Sequence, residues 1–424
     1  MGRDKKIIAV IGALDTKGED FAFVKEEIQK RGAEALVINV GVMGPPAFIP
    51  AVSSAQVAEA GGVTLDELRR KADRGLAVEV MCRGIAKIVC NLHEQGRIDG
   101  ILSMGGGAGT DIGSSAMRAL PLGFPKVLVT TLFSVDTRPY VRGRDLVLFP
   151  SIVDVAGVNH ISAALYAKAV GAVVGMAETP PPRIEEKPLL AASMFGNTTP
   201  IVDRCREIMK AHGFEVLVFH AVGTGGRALE NLVAEGYFTG VLEITPTEWA
   251  DELVGGVESA GPTRLDAAAD RGIPQVIVPG CLDMVNFWAL ETVPEKYRKR
   301  RLYKWSPNVT LLRTDPAENA ELGRILAEKA NRSKGPAAFF LPLRGVSMLD
   351  APGKEFWWPV ADRALYDAIQ KNVRPDIPVY ELDYNVNDPE FADRVAYKML
   401  ELLGGSLRTG CPNSGEKNLQ NQRP

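Results

Sequence analysis

Two segments of the chain carry the residue types that bind phosphate groups. Asp15, Thr16 and Lys17 follow a short apolar run at residues 7–11, and a glycine loop at residues 105–110 follows another apolar run. Glycines lack a Cβ atom, so backbone N–H groups can approach an anion closely, and the helix that follows adds its positive end. Lys17 adds a formal charge, and the threonine hydroxyls add donors. The predicted phosphate contacts are Asp15, Thr16, Lys17, Gly105, Gly106, Gly107, Gly109 and Thr110.

This pattern matches neither GxxxxGK(S/T) nor a GxGxxG after the first strand, so a mere tight turn stays the alternative interpretation. In a doubly wound sheet, however, the two loops would be neighbours across the switch point, where ligands bind. Gly41 ends the second predicted strand, close to where Rossmann-type proteins bind adenosine. An acidic ribose-binding residue is not evident there, which weakens an interpretation as an NAD site.

The second half of the chain offers a further set of polar residues at predicted strand ends. Glu243 or His220 could act as a general acid or base on a polar or anionic substrate in a cleft between two domains, with Asp136 as a third candidate. The alternative is that Glu243 caps a helix and that His220 is a hydrogen-bonded histidine at a strand end. The other candidate residues of this cleft are Ser134, Asn197, Thr198, Thr199, Gly223, Thr224, Gly225, Arg227, Arg264 and Asp283.

Short β-branched runs alternate with helical segments of about 12 residues, which is typical of βαβ units and of a parallel sheet. The pattern recurs: residues 31–39 resemble residues 212–220, and residues 123–129 resemble residues 272–278. We therefore predict an α/β protein of two tandem Rossmann-like, three-layer α/β/α domains with mainly parallel sheets and an interdomain cleft. The predicted parts are a nucleotide-binding domain at 1–180, a proline-rich linker at 181–188, a second domain at 189–404 and a disordered tail at 405–424.

Composition excludes several classes of function. The 49 Lys+Arg and 52 Asp+Glu residues give a net charge of −3, so no electrostatic argument for nucleic acid follows. The chain contains no apolar run of the ~18 residues that a membrane span needs, and we see no signal peptide. The five cysteines and four histidines show no metal-ligand spacing, so we expect no metal site and a cytoplasmic location.

Three longer motifs carry a resemblance to a known family. They are IGALDTKGE at residues 11–19, SMGGGAGT at 103–110 and PGCLDMVNF at 279–287. The chain resembles the ATP-binding domain family typified by the plant protein that confers resistance to tomato mosaic virus. The resemblance covers residues 5–404, which is the whole chain apart from the predicted tail.

The resemblance implies ATP binding without a Walker loop, with Mg²⁺ as a possible companion, and self-association as a homodimer. It leaves two hypotheses: an ATP-binding module, or an enzyme that acts on a small carboxylated or phosphorylated metabolite. A sugar-binding sensor of the periplasmic type is a third reading, suggested by the tandem domains alone. The absence of the Walker lysine argues against routine ATP hydrolysis.

Overall fold

The computed structural model describes residues 5–132, 134, 136–182 and 186–404. The chain divides into two compact units, with the boundary between residues 185 and 186. This boundary falls inside the predicted linker 181–188, of which residues 183–185 lie outside the described part. The predicted tail 405–424 lies outside it as well.

The N-terminal unit is a parallel five-stranded sheet of order β2-β1-β3-β4-β5 with helices packed against it. The strands are β1 (Ile7–Gly12), β2 (Glu34–Asn39), β3 (Gly100–Gly105), β4 (Lys126–Thr130) and β5 (Val147–Pro150). The helices are α1 (Gly18–Lys30), α2 (Ser54–Ala60), α3 (Leu65–Lys71), α4 (Arg74–Glu94), α5 (Gly107–Arg118), α6 (Arg138–Val141) and α7 (His160–Glu178).

The order of these strands brings the two predicted phosphate loops together. β1 pairs with β3 in parallel, with Ile11 opposite Ser103, so both strands end at the same edge of the sheet. The Ser103 hydroxyl also donates a hydrogen bond of 3.1 Å to the carbonyl oxygen of Ile11. The loops after these strands are therefore neighbours, as the doubly wound order predicts.

The C-terminal unit contains a parallel six-stranded sheet of order β14-β13-β9-β8-β6-β7 and an antiparallel three-stranded sheet of order β10-β12-β11. The strands are β6 (Leu189–Met194), β7 (Glu215–His220), β8 (Gly240–Glu243), β9 (Gln275–Ile277), β10 (Met284–Phe287), β11 (Leu302–Ser306), β12 (Val309–Arg313), β13 (Ala337–Pro342) and β14 (Val379–Leu382). The helices are α8 (Thr199–Ala211), α9 (Thr224–Ala234), α10 (Glu248–Val254), α11 (Asp266–Arg271), α12 (Pro316–Asn331), α13 (Pro359–Asn372) and α14 (Pro389–Leu402).

The two parallel sheets repeat one topology. The first four strands of each unit stand in the order second, first, third, fourth, with all neighbours parallel. The sequence pairs noted above fall on equivalent strands, since one pair covers β2 and β7 and the other covers β4 and β9. The predicted fold class of two Rossmann-like α/β units is confirmed.

In the part of the chain that the structure describes, one helix is long and apolar enough to cross a membrane by length and composition. This helix is α7, with a mean hydropathy of 1.3 over its most apolar window, of which 39% is buried. It packs against α1 and β3 and buries Tyr166, Val170 and Val173 in the core of the N-terminal unit. Packing on the sheet thus accounts for one apolar face of α7.

Candidate functional site

A cavity of about 860 Å³ opens at the carboxyl edge of the N-terminal sheet. We call it the large cavity. The ends of β1, β2 and β3, the helices α3 and α4, and the start of α5 surround it. Its polar and glycine lining residues include Asp15, Thr16, Lys17, Gly41, Arg69, Asp73, Arg74, Ser103, Gly105, Gly106, Gly107, Gly109 and Asp154. The structure thus brings together most of the residues predicted to bind phosphate.

The glycine loop forms the floor of the cavity at the start of α5. Gly106 is the N-cap of α5, and no side chain caps this helix end. Among the described residues, the N–H groups of residues 106–109 have no hydrogen-bond acceptor. A Cβ atom on Gly107 would meet nothing within 4 Å, whereas one on Gly105 would lie 2.9 Å from the Cα atom of Gly109. The loop therefore offers free N–H donors to an anion, next to the positive end of α5.

The first-strand loop places a fixed cation beside these donors. Lys17 precedes α1, and its ammonium group donates a hydrogen bond to the carbonyl oxygen of Val155. An ammonium group carries three donors, so this bond fixes the position of Lys17 and leaves two donors for a ligand. The neighbouring Thr16 is exposed and lines the same cavity.

Asp15 has a different role from the one its position in the motif suggested. Its Oδ2 atom accepts the N–H groups of Met43, at 2.8 Å, and Gly44, at 3.1 Å. A Cβ atom on Gly41 would lie 2.1 Å from Asp15 Oδ1, so only glycine fits there. Asp15 therefore shapes the loop after β2 and holds that side of the cavity in place.

The opposite wall of the cavity is apolar, and sequence reasoning did not find it. It consists of Val40, Val42, Leu68, Ala77, Val78, Met81 and Ile112. Two arginines stand at this wall. The Nε atom of Arg69 donates to the carbonyl oxygen of Val42 at 2.7 Å, while Arg74 is exposed and has no ion pair or hydrogen bond to a described residue. A flat apolar group with an anionic tail would fit both walls.

Three of the predicted residues of the N-terminal unit lie elsewhere. Thr110 is buried, and its hydroxyl forms hydrogen bonds with Thr130, at 2.7 Å, and with the carbonyl oxygen of Gly105. The structure places it under the glycine loop, outside the lining of the cavity. Ser134 and Asp136 are exposed, and Asp136 forms an ion pair of 2.9 Å with Arg138 that lowers its pKa.

In the C-terminal unit, Glu243 and Arg264 form the centre of a buried ion cluster. The guanidinium of Arg264 donates to both carboxylate oxygens of Glu243, at 2.6 and 2.7 Å, and also to Glu230 and Glu248. Burial alone lowers the pKa of Arg264, but the three carboxylates raise it well above its ordinary value. The Ser193 hydroxyl donates to Glu243 as well. This arrangement gives Glu243 a structural role in binding Arg264.

The residues around the end of β7 serve local structure. The His220 ring is exposed and packs edge-on against Phe195, with ring centroids 5.4 Å apart, and partial burial lowers its pKa. The N–H of Gly223 donates to Glu248, and Arg227 donates to the carbonyl oxygen of Ser259 at 2.8 Å. Thr224 and Gly225 begin α9. Within the described residues, none of these groups lines the large cavity.

The ends of β6 and β9 hold the remaining candidates in a closed polar core. Thr198 bonds Thr245 through their hydroxyls at 2.7 Å, Asn197 is fully buried, and Thr199 is partly exposed. Asp283 accepts a hydrogen bond of 2.8 Å from Ser347. Burial, and then the nearby charge of Asp350, raise the pKa of Asp283 to about 7.

Two aspartates share one arginine in this core, which the sequence did not reveal. Arg313 forms ion pairs with Asp350, at 3.5 Å, and with Asp362, at 2.5 Å. Burial, and then the charge of Asp350, raise the pKa of Asp362 to about 8. Among the described residues, no group of three or more His, Cys, Asp or Glu side chains is arranged to hold a metal ion.

Comparisons with known proteins match both units of the chain to the same family. Residues 6–182 match the Uncharacterised protein family (UPF0261) N-terminal domain, and residues 187–403 match its C-terminal domain. A UPF0261 protein of Clostridium tetani is 49% identical over 402 residues, which cover 94% of this chain and 99% of the relative. The ToMV resistance protein Tm-1(GCR237) of Solanum lycopersicum is 35% identical over 97% of this chain, which spans 57% of the tomato protein.

A solved structure gives a weaker likeness. The Streptomyces glycosyltransferase SsfS6, complexed with thymidine diphosphate, aligns over 94% of this chain and 96% of its own, with 15% identity and a TM-score of 0.20. No functional argument follows from that score. The matches of both halves to the two family domains, together with the relatives that share its full length, show that the chain belongs to the UPF0261 family.

Proposed function

We propose that this protein binds ATP in the large cavity of its N-terminal unit. One observation supports the proposal above all others: a single cavity is lined both by Thr16 and Lys17 and by the glycine loop 105–109. A volume of about 860 Å³ falls in the range of ligand pockets, which is roughly 300–1,000 Å³. The cavity also has two chemically distinct sides, as a nucleotide does.

The phosphates would lie over the start of α5. There the free N–H groups of residues 106–109 and the two remaining donors of Lys17 face an anion without a side chain in between. The base would pack on the apolar wall that contains Leu68, Val78 and Met81. Arg69 and Arg74 add positive charge at this wall, which favours a ligand with several negative charges.

The choice of ATP among nucleotides rests on the family resemblance carried by residues 11–19 and 103–110. The alternative proposal, an acid–base enzyme that uses Glu243 or His220, has less support from the geometry. Both oxygens of Glu243 are engaged by Arg264. We also propose the homodimer that the resemblance implies, which light scattering after gel filtration would detect.

The proposal is tested by calorimetric titration of the purified protein with ATP, ADP and AMP, each with and without Mg²⁺. We expect the affinity to fall in the order ATP, ADP, AMP, because each phosphate lost removes charge-assisted hydrogen bonds at the glycine loop. Absence of ATP binding, or equal affinity for AMP and ATP, would contradict the proposed site.

A further inference from the structure

A second cavity, of about 300 Å³, lies at the carboxyl ends of β4 and β5. We call it the small cavity. Thr131, Ser151, Ile152, Val153 and Asp154 line it. Asp154 lines the large cavity too, so the two cavities meet at this side chain. A volume of this size admits a small metabolite and excludes a second nucleotide.

The small cavity presents polar groups that lack partners. The side chain of Ser151 is 1% exposed, and its hydroxyl oxygen has no hydrogen-bond partner among the described residues. Buried hydroxyl groups are normally paired, so this one calls for a ligand or a bound water. Thr131 lines the small cavity too, and it lies next to the glycine loop, since a Cβ atom on Gly106 would be 3.6 Å from its hydroxyl oxygen.

The backbone beside Asp154 is strained. Ile152 has a φ of +62°, in the left-handed region that β-branched residues rarely adopt, and its side chain is 64% exposed. Strain of this kind is retained where the surrounding structure needs an unusual turn, and it is frequent at functional sites. The hydrogen bond from Lys17 to Val155 fixes the segment on its other side.

The carboxylate of Asp154 is available for chemistry. Its Oδ1 atom accepts the N–H of Val155 at 2.8 Å, and its Oδ2 atom has no partner in the described part of the chain. The side chain is exposed at the point where the two cavities meet. A group held in the small cavity would therefore lie beside this carboxylate and beside the phosphates of a nucleotide in the large cavity.

We propose that the small cavity binds the acceptor of a phosphoryl transfer, a small hydroxy acid or polyol, with Asp154 as the catalytic base. This inference rests on the proposed binding of ATP in the large cavity. The acceptor oxygen forms a bond to the γ-phosphorus while the bond from that phosphorus to the β–γ bridging oxygen breaks. ADP leaves, and the hydroxyl proton passes to the carboxylate of Asp154 and then to water. Ser151 and Thr131 orient the acceptor through their hydroxyls.

The experiment follows transfer of label from γ-³²P-ATP with Mg²⁺ to five probes: glycerol, glycerate, tartrate, ribitol and gluconate. We expect at least one probe to be phosphorylated by the wild type. Asp154→Asn should lower kcat at least 100-fold, the usual scale for loss of a catalytic base, with the Kd for ATP within threefold. Asp66→Asn, which removes an exposed carboxylate of the same unit outside both cavities, should transfer at the wild-type rate.

A second variant tests the acceptor contact by itself. Ser151→Ala should raise the KM for the phosphorylated probe and leave the Kd for ATP unchanged.

Binding of ATP without label in any of the five probes would overturn the acceptor site and leave the ATP site intact. Transfer by Asp154→Asn at the wild-type rate would do the same. A wild type that binds no ATP would overturn the proposed function itself, and calorimetry reports that result separately.

Discussion

The ammonium group of Lys17 donates a hydrogen bond to the backbone carbonyl oxygen of Val155, 138 residues further along the chain. This bond joins the loop after β1 to the segment after β5, so it links two parts of the carboxyl edge that β3 and β4 separate. The glycine loop after β3 lies between them in the strand order. Lys17 is thus held in the lining of the cavity that also contains the glycine loop, and a cation together with free N–H groups is what a phosphate-binding site needs.

Replacing Gly106 by valine should abolish ATP binding and leave the fold intact. Gly106 has a negative φ, of −81°, and a Cβ atom there would meet nothing closer than 3.6 Å. The added side chain would therefore occupy open space over the loop, where the phosphates are proposed to lie. We expect a loss of affinity of at least tenfold by calorimetry, with a melting temperature within a few degrees of the wild type.

The matched control for this variant is Gly175→Val. Gly175 lies on α7, outside the lining of the large cavity, and a Cβ atom there would meet nothing within 4 Å. This control should bind ATP as the wild type does. Normal ATP affinity of Gly106→Val would show that the glycine loop does not contact the ligand.

Replacing Arg264 by methionine should strongly destabilise the C-terminal unit. Arg264 is 1% exposed and is the shared partner of Glu230, Glu243 and Glu248. Its removal leaves two buried carboxylates and the partly buried Glu230 without a counter-charge, and breaking a buried ion pair costs about 3–5 kcal/mol. Urea unfolding monitored by tryptophan fluorescence measures the loss. Arg204→Met, which removes an exposed ion pair with Asp393, should leave the unfolding midpoint almost unchanged, and an equal effect of both variants would contradict this account.

Replacing Asp283 by asparagine should make the stability of the protein, relative to the wild type, increase as pH rises. Burial raises the pKa of Asp283 to about 7, above the ~3.9 expected in the unfolded chain. The folded state therefore binds the proton of the Asp283 carboxyl more tightly than the unfolded chain does. The stability that this proton contributes is fully present below pH ~4 and is lost as pH rises to about 7.

The measurement compares melting temperatures at pH 5 and pH 8. We expect the melting temperature of Asp283→Asn, relative to that of the wild type, to be higher at pH 8 than at pH 5. The control Asp203→Asn changes an exposed carboxylate on α8 and should show no such trend. A difference that is independent of pH would show that Asp283 does not titrate in this range.

Local sequence patterns were sufficient to predict strands such as β1 and β3 and the two loops that follow them. Buried parallel strands require continuous apolar runs, such as those that became β1 and β3, and turns at their ends require small or polar residues. The adjacency of the loops then follows from the doubly wound order, which places β1 beside β3. The positions of these strands and the adjacency of their loops therefore follow from short stretches of sequence and from the doubly wound strand order.

The residues that sequence reasoning missed depend on contacts between distant segments. Arg69 lines the cavity because its guanidinium reaches the carbonyl oxygen of Val42, 27 residues earlier, and no local pattern encodes that contact. Thr110 falls outside the lining because the first turn of α5 directs its hydroxyl to Thr130. Glu243 was predicted at a strand end, but its engagement by Arg264 depends on a side chain 21 residues away in the chain.

The most direct test of the central claim is the change in ATP affinity when Lys17 is replaced by alanine, measured by calorimetry with Mg²⁺ present. Lys30→Ala is the matched control, because Lys30 lies at the other end of α1 and pairs only with Glu27 among the described residues. We predict that Lys17→Ala weakens ATP binding by about 1–3 kcal/mol, the scale of a charge-assisted hydrogen bond, while Lys30→Ala leaves it unchanged. Equal ATP affinities of the wild type and both variants would contradict a phosphate site at Lys17.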